Sequence, residues 1–312
     1  IPIIMLSISI VIPTMNRFDS LKRTISYIAQ GTKLPQEIII VDQTQGIDTS
    51  VKIRTFLDAQ KIKCIYLHQS EASLTKARNY GMKYVTGDIV IQMDDDVDVH
   101  NDTLSAIDNI FSDDKIAMLA GINEGEDYKT RSILGYFFWK KNWFKRNIGH
   151  VTLSMYGRFP QHIKDYTDTE WAMGFFSVYR SSLIKAWGLK WDEHLVGYAY
   201  PEDLDFSYSY YKCAKQHNLR CIMSKRVIVK HNVTQEWRIP SQKHTKMIVF
   251  NREYLRYKHY GNYWLSIFAT AWADYGELLR RILKRQKPKD LYEAIKEKNR
   301  RLEEIRQGHI FD

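Results

Sequence analysis

The chain has 312 residues, 44% hydrophobic and 13% aromatic, enough to bury a sizeable core and too apolar for disorder over most of its length. Its formal net charge of +10 is uneven: residues 1–240 carry 30 Lys and Arg against 27 Asp and Glu, and residues 241–312 carry 16 against 9, so the basic character belongs to the tail and does not indicate a nucleic-acid partner. Three scattered cysteines, Cys64, Cys213 and Cys221, give no disulfide framework and no Cys-x-x-Cys zinc pair, which fits a reducing, cytoplasmic setting.

In chain order, the first element is "ISIVIPT" at 8–14, a β-branched run that reads as a buried strand; the segment around it lacks the basic start and small-residue cleavage site of a secretory signal. Further strand-like runs, "EIIIVDQ" at 37–43, "KCIYLHQ" at 63–69 and "DIVIQMD" at 88–94, alternate with segments at 19–31, 48–60 and 74–86 that are long enough for helices. Apolar strands alternating with helices predict a parallel sheet covered on both faces, with ligands at the carboxyl ends of the strands. Those ends carry Thr14 with Asn16 and Arg17, then Asp42, then Asp94, Asp95, Asp96 and Asp98, and are expected to converge on one crevice. Adjacent carboxylates repel unless a cation or hydrogen-bond donors stand among them, and the cost grows as water is excluded, so the aspartates call for a positive partner.

The second half is less regular. Residues 126–170 mix aromatics and lysines, including "YFFWKKNWFKR" at 136–146, and read as excursions over the rim of the sheet. "WAMGFFSVYRSSLIKAWG" at 171–188 reads as strand, turn and short helix, "PEDLDFSYSYYKCAKQH" at 201–217 as a helix entered at Pro201, and "LRCIMSKRVIVKHN" at 219–232 as a strand ending at His231. Beyond Pro240 the chain turns helical and basic. Leu265, Phe268, Trp272, Tyr275, Leu279 and Ile282 recur every three or four residues, with Arg280, Arg281, Lys284, Arg285 and Lys287 close behind. Such a stripe over residues 260–290 suits a helix lying on an anionic membrane surface, or one packed against the domain or a partner in an oligomer. No run reaches the roughly 18 consecutive apolar residues of a membrane-spanning helix.

The blocks "SIVIPTMNR", "IIVDQT", "LTKARNYGMKYVTGDIVIQMDDD", "GFFSVYR", "PEDLDFS" and "VIVKH" occur in the order and approximate spacing of the GT-A family 2 glycosyltransferases, a resemblance covering about residues 6–231. It implies an α/β GT-A fold, Rossmann-like, with a mainly parallel sheet flanked by helices and a helical, basic C-terminal extension. The GT-A domain would span residues 1–240, with a nucleotide-binding half at about 1–100 and an acceptor-binding half at about 101–240, and the extension residues 241–312. The implied activity is inverting, metal-dependent transfer from a nucleotide-sugar donor, a UDP-sugar foremost, to a hydroxyl of a glycan or lipid-linked oligosaccharide in envelope polysaccharide synthesis. The enzyme would sit in the cytoplasm, peripheral on the inner face of the cell membrane.

By the same resemblance, Asp94 and Asp96 form the D-x-D element, with Asp95 an alternate, and His231 joins Asp96 and Asp94 as a metal ligand; carboxylates with an imidazole suit Mn²⁺ or Mg²⁺. The cation would neutralise the leaving diphosphate. Pro13, Thr14, Asn16, Arg17 and Asp42 would hold the nucleotide, Arg78 would approach the diphosphate, and Gly174 would complete the donor site. The sequence departs from the family after Asp42, where "QTQG" replaces an Asn-Gly-Ser-like turn, and at Pro201, where many members have glycine. Asp203 corresponds to the general base that deprotonates the acceptor hydroxyl, with Glu202 orienting the acceptor or standing in for it. Trp139, Trp143, Trp171 and Trp237 are candidates for stacking on acceptor sugars.

Other readings fare worse. Asp94, Asp96 and Asp98 match positions one, three and five of an EF-hand loop, but Val99 and Ser105 break positions six and twelve. "PTMNRF" contains no glycine, against a dinucleotide-binding fingerprint or the Gly-rich loop of a nucleotidyltransferase. "QEWR" at 235–238 does not fit the Gln-x-x-Arg-Trp motif of processive synthases. The non-enzyme alternative is a catalytically inactive carbohydrate-binding or assembly subunit on this fold.

Overall fold

The computed structural model describes residues 5–126, 128, 134–232 and 241–310. Its strands are β1 (Ile8–Thr14), β2 (Glu37–Asp42), β3 (Cys64–His68), β4 (Ile89–Met93), β5 (Val97–Val99), β6 (Ile116–Asn123), β7 (His150–Val151), β8 (Gly157–Arg158), β9 (Thr167–Asp168), β10 (Phe176–Arg180) and β11 (Arg220–His231). Helices α1 (Phe18–Ala29), α2 (Ile47–Asp58), α3 (Leu74–Met82), α4 (Thr103–Phe111), α5 (Leu134–Phe137), α6 (Ser181–Ala186) and α7 (Glu202–Gln216) lie among them. The chain ends in α8 (Ser241–Tyr260), α9 (Trp264–Leu283), α10 (Pro288–Arg300) and α11 (Leu302–Arg306).

The main sheet runs β3-β2-β1-β4-β10-β6-β11-β5, with β9 on the flank of β11. The four strands expected from the first hundred residues pair in parallel, β3 with β2, β2 with β1 and β1 with β4. Each of β1, β2 and β4 is buried along its whole length, because alternate residues face opposite layers. Ile10, Ile12, Ile38, Ile40 and Ile91 pack with Leu21, Ile25 and Ile28 of α1, whereas Val11, Ile39, Val41 and Val90 pack toward Ala77 of α3 and Phe206 and Tyr210 of α7. β10 then enters antiparallel between β4 and β6, and α6 follows it without the expected turn.

A third core joins the middle of the chain to its end. Val151, Met155, Trp171, Leu195 and Leu204 pack with Val249, Phe250 and Leu255 of α8, Leu291 of α10 and Ile305 of α11. Ionic contacts reinforce it: Asp205 of α7 accepts from Lys258 at 2.7 Å and His259 at 2.8 Å, and Asp274 of α9 takes Arg252 at 3.1 Å and Lys298 at 2.8 Å. The C-terminal helices thus share a core with residues 151–204.

Helix α9 is built the opposite way to an ordinary surface helix. Its inward face is Ser266, Ala269, Thr270, Ala273, Asp274 and Gly276, and its outward face holds Trp264, Ile267, Phe268, Tyr275, Ile282 and Leu283. Gly276 permits the close approach: a Cβ there would lie 2.2 Å from the ring of Phe138. Among the described residues, no helix is long and apolar enough to cross a membrane.

Phe250→Ala removes a fully buried ring from the shared core and is expected to cost about 3–5 kcal/mol. Urea unfolding followed by tryptophan fluorescence and by circular dichroism should shift together. A transition confined to the helical signal would show that the C-terminal helices melt apart from the sheet.

Candidate active site

The aspartate run lies where β4 ends and β5 begins. β5 pairs antiparallel with β11, with Val97 opposite His231, and this register brings the imidazole beside Asp96. The Asp96 carboxylate lies 3.2 Å from Nε2 of His231 and 2.5 Å from the Arg17 guanidinium. The His231 ring is stacked on Phe175 at 4.9 Å, and its backbone N–H donates to Asn123, two contacts that set its orientation. Ligand atoms of Asp94, Asp96 and His231 lie within 4.8 Å of one another. Two carboxylates and an imidazole fit a borderline or hard divalent cation such as Mn²⁺ or Mg²⁺. Burial opposes charge on Asp96, yet His231 and Arg17 prevail and hold its carboxyl below the usual range; burial likewise opposes charge on His231, and the Asp96 and Asp94 carboxylates raise it.

Asp95 faces inward. It accepts from the Thr14 hydroxyl at 2.6 Å and pairs with Arg17 at 2.8 Å, while burial pushes its carboxyl up to about 7 against both. Arg17 therefore spans Asp95 and Asp96. Asn16, at φ 58°, takes the left-handed conformation that asparagine tolerates, and its N–H donates to Thr44. Pro13 and Thr14 are buried at the end of β1.

Asp42 lies in the interior at the end of β2. Its carboxylate has no exposed surface, accepts from Thr44 N–H at 2.9 Å and Tyr66 OH at 2.8 Å, and so braces the turn after β2 instead of facing the crevice.

Arg78 is also interior, 2% exposed. Its guanidinium meets Asp94 at 3.3 Å, Glu202 at 3.3 Å and the Gly174 carbonyl at 3.1 Å. Burial opposes its charge, but Glu202 and Asp94 outweigh it and raise its pKa. Gly174 is where these groups close on the backbone, for its N–H donates to Asp203 at 2.8 Å and a Cβ would lie 3.0 Å from Arg78. At the start of α7 the two acids diverge. Glu202 points to Arg78, and burial lifts it to about 8 against that cation's pull. Asp203 is half-buried, accepts from Gly174 and Leu204 N–H groups, and lines a cavity of about 240 Å³ with Trp171, Tyr156, Arg158 and Tyr200. Burial raises its carboxyl too, against the two N–H donors and Arg78.

Of the tryptophans, Trp171 is buried, yet edges this cavity; its Nε1 donates to the Arg158 carbonyl. Trp139 packs edge-on to Phe268, and Trp143 edge-on to Tyr136, at the exposed α5–α9 face and not beside Asp203. Trp237 lies outside the described residues. Sequence reasoning passed over Arg158, Tyr156 and Arg252, which line the same cavity, because they sit in the stretch without periodicity or in a helix that reads only as basic.

The family model described as Glycosyl transferase family 2 matches residues 9–188. "Uncharacterized glycosyltransferase YwdF" of Bacillus subtilis (strain 168) is 34% identical over 91 residues, 29% of this chain; the chain spans about a third of the length of this curated relative, 33%. In fold, the chain is similar to mannosyltransferase PcManGT from Pyrobaculum calidifontis in complex with GDP-Man and Mn²⁺ (TM-score 0.55, 11% identity, 89% of this chain and 75% of that one). It is similar also to GalNAc-T7 with UDP, GalNAc and Mn²⁺ (0.59, 15%, 82% and 51%) and to S. aureus TarS 1-349 in complex with UDP-GlcNAc (0.51, 14%, 95% and 92%).

A raised carboxyl makes a signed prediction. The folded state holds the Glu202 proton more tightly than the unfolded chain, so the stability it contributes is full below the ordinary carboxylate range, about 4.3, and is lost as pH climbs through about 8. Glu202→Gln should flatten the decline in unfolding free energy across that window. An unchanged slope would mean that Glu202 does not titrate there.

Proposed function

The chain belongs to glycosyl transferase family 2, and from that membership we propose that it moves a sugar from a UDP-sugar to a hydroxyl of a glycan or lipid-linked glycan. The observation that carries the proposal is that a cation-ready trio, Asp94, Asp96 and His231, and the carboxylate Asp203 stand on either side of one buried arginine, Arg78. A divalent cation held by Asp94, Asp96 and His231 supplies Lewis-acid neutralisation of the leaving diphosphate. Uridine nucleotides in the GalNAc-T7 and TarS structures favour UDP, and the GDP-Man of the mannosyltransferase is the competing donor.

Thr14, Asn16, Arg17 and the turn braced by Asp42 hold the nucleotide. Arg17 is a half-buried cation on the donor side, able to exchange a carboxylate for a phosphate oxygen. Arg78 fixes Asp94, Gly174 and Glu202 relative to one another. Asp203 takes the proton of the acceptor hydroxyl as it attacks the anomeric carbon, and single displacement inverts the configuration. Two backbone N–H groups aim this carboxylate, and its burial brings its basicity nearer to neutral pH. An inactive binding subunit would have no use for an aimed, desolvated carboxylate in a cavity.

The outward face of α9 supports a membrane-surface location. Its large apolar side chains join Leu134 and Phe137 of α5, and Lys284 and Arg285 stand at one end, a pairing suited to an anionic bilayer.

Asp203→Asn is expected to lower transfer about 10²–10⁴-fold with donor affinity nearly kept, whereas Asp96→Ala should weaken manganese-dependent UDP binding in a titration. Normal transfer by Asp203→Asn, or UDP binding that survives chelator unchanged, refutes the respective role. For the membrane, Trp264→Glu with Phe268→Glu should abolish co-sedimentation with phosphatidylglycerol vesicles; equal sedimentation of wild type with neutral vesicles, or of the variant with anionic ones, argues against it.

A further inference from the structure

Behind Asp203 lies an excess of positive charge. The cavity of about 240 Å³ that Asp203 lines is walled by Arg158, Arg252 and Arg281 together with Asp274 and Glu277. Each of these last two carboxylates is already claimed more than once: Asp274 by Arg252 and Lys298, Glu277 by Lys140 at 2.5 Å, by Arg280 and by Arg281 at 3.6 Å. Arg158 has no carboxylate of its own among the described residues; its guanidinium donates to the carbonyls of Lys140 at 2.5 Å and Gly157 at 3.2 Å. The aromatic ring of Tyr156 softens the crowding, with Arg252 at 4.0 Å, Arg158 at 4.7 Å and Lys140 at 5.3 Å from its centroid. Burial lowers the pKa of Arg158 and of Lys140, and lowers that of Lys141 with help from Arg158. Within this cluster Arg158 is the partly buried guanidinium whose charge burial opposes and which, among the described residues, pairs with carbonyls alone, so an added anion would stabilise it most.

Arg158 also lines a second cavity, of about 380 Å³, whose wall does not include Asp203. There its neighbours are Leu134, Phe138, Leu279 and Leu283, with Lys140, Lys141, Arg280 and Lys284. This cavity lies at the exposed apolar face formed by α5 and α9, where Leu134 and Leu283 are 59% and 69% exposed. Arg158 is thus the residue shared by the cavity at the apolar α5–α9 face and the cavity that Asp203 lines.

We propose that the acceptor is a sugar carried on a lipid phosphate or diphosphate, whose phosphate is held by Arg158 between the two cavities, whose alkyl chain leaves past Leu279 and Leu283 along the outward face of α9, and whose hydroxyl reaches Asp203. This rests on the reading of Asp203 as the base and narrows the acceptor to one chemical class. Arg158 is the specificity determinant: a neutral free glycan offers nothing to its charge, and a free anion leaves the leucines unused. The arrangement also explains why the apolar face of α9 lies beside the site, since an acceptor embedded in a bilayer reaches Asp203 only if the mouth of its cavity meets the lipid.

The test uses full-length protein and three probes, decyl phosphate, inorganic phosphate and decanol, each titrated by calorimetry below micelle formation. Decyl phosphate is expected to bind at least about 100-fold more tightly than inorganic phosphate, through burial of several methylenes, and decanol to bind far more weakly than decyl phosphate. Arg158→Gln should weaken decyl phosphate about 10- to 100-fold, as expected for a lost charge-assisted hydrogen bond, and Arg158→Lys should restore part of it. Leu283→Glu, at an exposed position, should weaken decyl phosphate and leave inorganic phosphate unchanged. Equal binding by Arg158→Gln, or no preference for decyl phosphate over inorganic phosphate, overturns the proposal; the second result marks a free-anion site instead of a lipid-phosphate one. Manganese-dependent UDP binding by the wild-type protein, measured alongside, separates this failure from failure of the glycosyltransferase reading: UDP binding without selective decyl phosphate binding sinks only the acceptor class.

Discussion

The site depends on one buried cation. Arg78 comes from α3, yet its guanidinium reaches Asp94 at the end of β4, the carbonyl of Gly174 just before β10, and Glu202 at the first turn of α7. These three partners are spread over about a hundred residues of sequence, and nothing else described touches all of them. A guanidinium can do this because its donors form a planar fork; a lysine ammonium would satisfy fewer partners in that geometry. The cost is desolvation of the cation, offset by carboxylates that could not themselves be buried so near one another without it. The same fork that holds the Asp94 side of the crevice therefore also sets where α7 begins, and with it the position of Asp203.

A second constraint fixes the cation-binding trio. β5 is three residues long and would be unremarkable except that it pairs antiparallel with β11 in the register Val97 to His231. A shift of one residue would turn the imidazole to the other face of the sheet. At the His231 end the pairing is extended by Asn232 N–H donating to the Asp96 carbonyl at 2.9 Å, and the His231 N–H is held from the β6 side by Asn123. The aspartates thus meet their cations by three distinct routes: Asp94 through α3, Asp95 and Asp96 through the loop after β1, and Asp98 through Arg23 of α1.

The first hundred residues were legible because each strand is an unbroken apolar run between helical segments; β1, β2, β3 and β4 fall within a residue or two of the expected spans. Glu202, Asp203 and His231 are singled out by their place in the order of the family-like blocks, and the structure puts them at the start of α7 and the end of β11. The failures have physical causes. Asp42 is expected to contact the nucleotide base, but the N–H of a threonine two residues later and the hydroxyl of Tyr66 across on β3 each occupy one of its oxygens, and neither partner has a signature. Arg78 is expected to approach the diphosphate, and its interior contacts with Asp94, Gly174 and Glu202 could not be read because those partners are distant in sequence. The antiparallel entry of β10 follows from the long excursion before it, which carries no period to read. Cavities are less legible still, for Arg158 matters only through what surrounds it.

The amphipathic stripe of α9, which by its spacing alone could face a membrane surface or a protein neighbour, turns Phe268, Tyr275 and Ile282 outward. The spacing identified the large apolar residues as one face, and in soluble helices that face turns inward. Here the inward surface must meet Phe138 at contact distance and hold Asp274 between Arg252 and Lys298, which only small residues and one acid can do. Once that surface is committed to the ionic core behind Asp203, the large side chains have nowhere to go but outward. The polarity of α9 is therefore a consequence of the charged chamber it closes. A helix with the ordinary arrangement would replace Asp274 and Gly276 by large apolar groups, fill the chamber and leave Arg252 and Lys298 unpaired, so the exposed apolar face and the cationic cavity stand or fall together.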